Sequence, residues 1–120
     1  MSLAMRVCIV DDDPLLLESL AIAVTGMGHE PCRALNVTSA LEIIAQGVDA
    51  AVVDILMPDR DGLDLIMAAR ASHPDLRIVA MSGGGRIGSN ALLSMAKGLG
   101  ADAMLPKPFS ATDLEIALRP

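Results

Sequence analysis

Five side chains of this sequence could do chemistry together if the fold brings them to one place: Asp11, Asp12, Asp54, Ser82 and Lys107. Three carboxylates converging on one spot repel one another and raise their pKa values unless a cation is present. A donor set made only of oxygens suits Mg²⁺, which keeps several waters and takes one or two carboxylates plus a phosphate oxygen. A carboxylate such as Asp54 can serve as a nucleophile, as in aspartyl-phosphate chemistry. Lys107 would supply a point charge for a transferring phosphoryl group, and the Ser82 hydroxyl could donate to a phosphoryl oxygen. Catalysis of that kind is mostly positioning and charge neutralisation. Taken singly, each acid reads equally well as a helix cap or a solvated loop residue, and Lys107 as a surface lysine. The weight rests on the ordered set.

The elements that must position these groups are short. Arg6–Val10 is a β-rich run ending at Asp11-Asp12-Asp13-Pro14, where Asp13 can cap a helix and Pro14 fits its first position. That helix puts Leu16, Leu17, Leu20, Ala21 and Val24 on one face and stops near Gly26. A weak second strand spans Glu30–Ala34. Asn36 caps the next helix, with Leu41, Ile44 and Ala45 inward and Gly47 ending it. Ala50–Val53 is the third strand, followed by a loop through Pro58. Asp61-Gly62 opens a third helix that His73-Pro74 halts. Leu76–Met81 is the fourth strand and Ser82-Gly83-Gly84-Gly85 a loop. A helix over Ser89–Lys97, a short strand at Ala103-Met104 and a last helix with a Ser110/Asp113 capping box complete the chain.

Five strands thus alternate with five helices. Their apolar runs are continuous, as in a parallel sheet covered on both faces. In such sheets the working site lies outside the carboxyl ends of the strands, and all five singled-out residues fall there.

The bulk numbers narrow the classes. A chain of 120 residues suits one domain. Residues 1–4 are read as a cloning scar or disordered start, and 5–120 as the domain, whose C-terminal end could be a truncation. A net charge of −6 argues against direct nucleic-acid binding. No apolar run approaches a membrane span and no signal peptide is visible, so a cytoplasmic domain is expected. Cys8 and Cys32 are expected to be buried thiols in a reducing compartment. One Phe, no Tyr and no Trp leave the core to aliphatic residues and eight Met. The Gly83-Gly84-Gly85-Arg86 run lacks the spacing and Lys-Ser/Thr of a nucleotide loop. His29 and His73 fall in turns and are expected to be solvated.

Four motifs in order carry a resemblance. Val10-Asp11-Asp12-Asp13-Pro14, Asp54-Ile55-Leu56-Met57-Pro58-Asp59-Arg60-Asp61-Gly62, Met81-Ser82-Gly83 and Leu105-Pro106-Lys107-Pro108-Phe109 resemble those of response-regulator receiver domains of two-component signalling. The resemblance implies a flavodoxin-like α/β fold with strand order 2-1-3-4-5. It implies that Asp54 takes a phosphoryl group from a sensor histidine kinase or phosphotransfer protein. Asp11, Asp12, Asp54 and the Leu56 backbone carbonyl would hold Mg²⁺, with Mn²⁺ able to substitute. Ser82 and Lys107 would meet the phosphoryl group, Lys107 pairing with Asp54 at rest. It further implies a cis peptide at Lys107-Pro108, an effector face of the fourth helix, fifth strand and fifth helix, and a signalling switch that is no turnover enzyme.

One departure is visible. The family's switch aromatic falls at Met104, so the signal is expected to run through the Ser82–Arg86 loop and fourth helix, with Met104 repacking. Leu56 and Gly84 stand where water access to the acyl phosphate would be set. Two alternatives are weighed: a degenerate, interaction-only receiver, which the intact acids, Ser82 and Lys107 oppose, and a small aspartate-nucleophile phosphatase. The latter would want a second acid two residues after Asp54, where Leu56 stands.

Overall fold

The computed structural model describes residues 4–57, 62–83 and 89–120. Along the chain run β1 (Arg6–Val10), α1 (Pro14–Gly26), β2 (Glu30–Ala34), α2 (Val37–Gln46), β3 (Ala50–Asp54), α3 (Gly62–Ser72), β4 (Arg77–Ser82), α4 (Ser89–Leu99), β5 (Ala103–Pro106) and α5 (Ala111–Leu118). The strands form one parallel sheet in the expected order β2-β1-β3-β4-β5. The chain order reverses between β1 and β3, which opens a crevice at the carboxyl edge.

Both faces of the sheet are apolar because every central strand alternates between two cores. Cys8, Val10, Ala51, Val53, Ile78 and Ala80 pack with Ile44 of α2, Leu65 and Ile66 of α3 and Leu93 of α4. Val7, Ile9, Val52, Val79 and Met81 face the other way, onto Leu17, Leu20 and Val24 of α1 and Leu114 and Leu118 of α5. Strand β3, in the middle, is buried at all five positions.

Helix starts follow the caps. Asp13 accepts from the amides of Leu15 and Leu16 ahead of Pro14, Asn36 accepts from Ser39 N–H at 2.8 Å, and Ser110 and Asp113 exchange both bonds of a capping box. The Asn36 cap sets the phase of α2 so that Val37, Ala40 and Ile44 point inward. Ala45 is therefore exposed, against expectation, and Leu41 only half-buried. Leu16 is also half-buried, turned toward the acidic edge of the sheet. Cys32 is half-exposed, not buried, because β2 is an edge strand. His29 is half-buried and its Nδ1 accepts the Met5 N–H at 3.0 Å, and His73 too is half-buried, so neither is fully solvated. Asp61, the expected opening of α3, and Gly84 to Arg86 lie outside the described residues.

At the amino edge of the sheet Arg70 ties α3 to its neighbours. Its guanidinium donates to the carbonyls of Gly100, Pro74 and Leu76 at 2.7–3.0 Å and to Asp102 Oδ2 at 2.7 Å. Asp102 in turn accepts the Ile78 amide at 2.8 Å. On the same edge the first and last described residues meet: Ala4, Met5, Leu118, Arg119 and Pro120 line one cavity with His29 and Arg77.

Candidate functional site

Four strand ends build the site. Where β1 ends, the Asp11 amide donates to the Ala34 carbonyl of β2 at 3.1 Å, and Asp11 Oδ1 accepts from the Asp13 N–H at 3.0 Å. This turn holds Asp11 inside, 1% exposed, while Asp12 stays exposed beside it. Asp54 is the last residue of β3 and is 5% exposed. Its Oδ1 accepts the Leu56 N–H at 3.0 Å, and the following Ile55 amide is held by the Met81 carbonyl of β4 at 3.0 Å. Ser82 closes β4 as a strand residue and not as loop, and Lys107 follows β5, which runs on to Pro106. The Lys107 amide donates to the Ser82 carbonyl at 2.7 Å, which locks those two strand ends together. The Lys107-Pro108 peptide is cis, as expected.

The side chains meet. Lys107 Nζ lies 3.4 Å from Asp54 Oδ2 and 3.2 Å from Asp11 Oδ2, so the lysine bridges two acids and does not pair with Asp54 alone. Asp11, Asp12 and Asp54 each place a carboxylate oxygen within 4.8 Å of the others. They line a cavity of about 530 Å³ with Leu16, Leu56, Met57, Gly83 and Lys107. Ser82, next to the lining residue Gly83, is fully buried, and its Oγ has no hydrogen-bond partner among the described residues.

Electrostatics follow from this crowding. Burial raises the Asp54 pKa above the ordinary carboxylate value and the nearby Asp11 adds to the rise, while the Leu56 amide and Lys107 oppose it. Three carboxylates face one ammonium, and such a hard, oxygen-only, under-compensated set fits a divalent cation. An unpartnered buried hydroxyl is costly by itself, and an oxygen-rich guest in the cavity would give it an acceptor.

A raised pKa also makes a stability prediction. A carboxyl whose folded pKa lies above its unfolded value of ~3.9 favours the fold while protonated, and that contribution is lost as pH rises through the folded pKa. In metal-free buffer, Asp54→Asn is therefore expected to melt higher than wild type at pH 7. The gap should close as pH falls to the unfolded carboxylate value. Equal melting at pH 7 would mean that Lys107 fully offsets the buried charge.

The side chains of Asp11, Asp12, Asp54 and Lys107 converge and Leu56 lines the same cavity, while Ser82 is buried next to Gly83, which also lines it. Met104 is half-buried against the core beneath α4. Sequence reasoning missed the Asp11–Lys107 contact, because a lysine beyond a strand end carries no mark of which acid it will reach.

Comparison with known proteins agrees with this geometry. A family model described as the response regulator receiver domain matches residues 7–119. The chain is 35% identical over 114 residues to the DNA-binding transcriptional regulator NtrC of Azospirillum brasilense, covering 92% of this chain and 23% of that protein. It is 34% identical to the response regulator MprA of Mycobacterium avium, covering 96% of this chain and 50% of that one. The chain thus spans between about a quarter and a half of these curated relatives. Among solved structures, a response regulator receiver domain protein from Clostridium thermocellum superposes with a TM-score of 0.88 at 26% identity, covering 97% of this chain and 91% of that one. A response regulator protein from Burkholderia pseudomallei, solved with a phosphorylated aspartic acid, calcium ion and citrate, gives 0.85 at 28% identity, covering 95% and 66%. Fold, acidic cavity and family match together place the chain among the receiver domains of response regulators, the signalling proteins of two-component systems.

Proposed function

We propose that Asp54 is the phosphoacceptor of this receiver and that the acids around it bind Mg²⁺. The observation that carries the reading is the Asp54 carboxylate itself: buried at the end of the central strand, 3.4 Å from Lys107 Nζ, and open to a cavity shared with Asp11 and Asp12. The donor would be the phosphohistidine of a sensor histidine kinase or phosphotransfer protein. An Asp54 oxygen attacks phosphorus, the P–N bond breaks, and the imidazole leaves with the electron pair. Oδ1 is held by the Leu56 amide, so the carboxylate presents a fixed face to the incoming group. Lys107 can turn from Asp54 to the phosphoryl oxygens while Asp11 still anchors it, and Ser82 Oγ has a hydrogen to give. Asp11, Asp12, Asp54 and the Leu56 carbonyl would hold the ion, whose charge offsets that of the phosphoryl oxygens. The phosphorylated aspartate and cation in the Burkholderia pseudomallei relative support this assignment.

The resulting domain is a switch and not a turnover enzyme, acting in the cytoplasm on an effector through α4, β5 and α5. Exposed Met95 and Ile116 lie on those helices. Among the described residues no helix is long and apolar enough to cross a membrane.

Incubation with Mg²⁺ and either beryllofluoride or a small phosphodonor tests the assignment. One adduct per chain is expected, at Asp54, and none for Asp54→Asn or for wild type in excess chelator. Labelling at another carboxylate, or none, would overturn it. Turnover of a broad set of phosphomonoesters would favour a phosphatase instead.

A further inference from the structure

The two cysteines, which play no part in the phosphoryl chemistry, occupy directly opposed positions. Cys8 of β1 and Cys32 of β2 are register partners in adjacent parallel strands, and partners in a parallel pair point to the same face of the sheet. Two further observations describe the surroundings of the sulfurs. Arg6, two residues before Cys8 and on the same face, reaches Cys32 Sγ with its Nη2 at 3.6 Å. The Cys32 sulfur also adds to burial in pushing the Cys8 thiol up to about 12. Neighbouring strands lie about 4.7–4.9 Å apart, inside the Cα separation of about 4.4–6.8 Å that a disulfide accepts. Among the described residues strand β2 pairs only with β1, at the edge of the sheet, so it can draw in from its outer side as the bond forms.

The two thiols differ in a way that orders the reaction. Cys32 is half-exposed and faces a guanidinium; Cys8 is fully buried in the core. Accessible sulfurs beside a cation are the reactive ones, and buried thiols in apolar surroundings are inert alone.

We propose that Cys8 and Cys32 form a peroxide-reactive dithiol, in which Cys32 is the accessible, first-attacking sulfur and Cys8 the resolving one. Cys32 sulfur attacks an oxygen of hydrogen peroxide, the O–O bond breaks, and the departing hydroxide takes the thiol proton as water, leaving a sulfenic acid. Cys8 sulfur then attacks Cys32 sulfur, the S–O bond breaks, and the second hydroxide leaves as water with the Cys8 proton. Two thiols are oxidised to one disulfide and one peroxide is reduced to two waters.

The test is peptide mapping of the folded, reduced chain after exposure to hydrogen peroxide at low protein concentration, with thiols blocked before digestion. The expected product is a monomer that has lost two hydrogens, with the Cys8 and Cys32 peptides linked and both thiols recovered on reduction. Cys8→Ala should stop at a dimedone-reactive sulfenic acid on Cys32. Cys32→Ser should leave Cys8 unmodified under conditions that fully convert wild type. Overoxidation of Cys32 without a link to Cys8, a disulfide only between two chains, or a Cys8 that reacts as fast in Cys32→Ser as in wild type would each overturn the proposal. The wild-type map alone decides the linkage if the Cys8 variant does not fold. Because the readout is covalent chemistry at sulfur, it stands apart from the assignment of Asp54.

Discussion

Gly62→Ala is expected to lose about 3 kcal/mol of stability, the upper part of the range for overpacking a tight site, and to lose adduct formation at Asp54 with it. A Cβ on residue 62 would fall 2.7 Å from Ile55 Cα and 2.9 Å from the Asp54 carbonyl carbon, and closer still to the Asp54 carbonyl oxygen. These are backbone atoms at the end of the central strand, so no side chain can swing aside. Either α3 lifts off β3, or the end of β3 shifts and carries the Asp54 carboxylate away from Lys107. Urea unfolding would show the first cost and beryllofluoride labelling the second. Gly98→Ala in α4 is the control: nothing lies within 4 Å of its added Cβ, so the better helix propensity of Ala should make it neutral or stabilising by up to ~1 kcal/mol. Equal unfolding midpoints for Gly62→Ala and wild type would show that α3 packs more loosely than this contact requires.

Arg70→Ala carries the second large effect, at the opposite edge of the sheet. Truncation removes the Arg70 donor from the carbonyls of Gly100, Pro74 and Leu76 and from the Asp102 carboxylate, which keeps the Ile78 amide. Losing hydrogen bonds to a charged group costs about 1.5–3 kcal/mol, and here several go at once, so a loss at the top of that range is expected in urea unfolding. Gly100 is part of the same device. Its φ of +124 lies where side chains strain the backbone, and an added Cβ would meet Arg70 Cγ at 2.7 Å. Gly100→Ala should therefore be costly in wild type and less so once Arg70 is cut back to Ala, because the Cγ contact goes while the backbone strain and a 3.0 Å contact with the Cβ of residue 70 remain. A double-mutant cycle isolates that coupling. Strict additivity would mean the arginine does not crowd Gly100.

The sequence made the site more legible than the packing around it. Asp11, Asp12, Asp54, Ser82 and Lys107 could be placed because each ends an apolar run, and a parallel sheet gathers such ends at one edge. The capping residues Asp13, Asn36 and Ser110 were legible for a similarly local reason: each bonds an amide two or three residues on. What failed depended on helix phase or on partners distant in sequence. Ala45 reads as apolar and inward, yet the phase fixed by Asn36 gives the inside to Val37 and Ala40. Cys32 sits in a strand-like run, but whether such a strand is central or marginal is decided by the sheet as a whole. Arg70 has no motif. Its contacts lie up to 32 residues away, and a lone arginine near a helix end gives no sign that it will satisfy three carbonyls and an aspartate.

The meeting of Ala4 and Pro120 in one cavity beside His29 and Arg77 has a practical corollary. That cavity lies at the amino edge of the sheet, and the acidic cavity lies at the carboxyl edge. A molecule coupled to a bead or sensor chip through residue 120 would stand with its acidic mouth turned away from the support. Anything fused to residue 120 would likewise start from the amino edge, at the end of α5, so a passenger there would be reached through that helix.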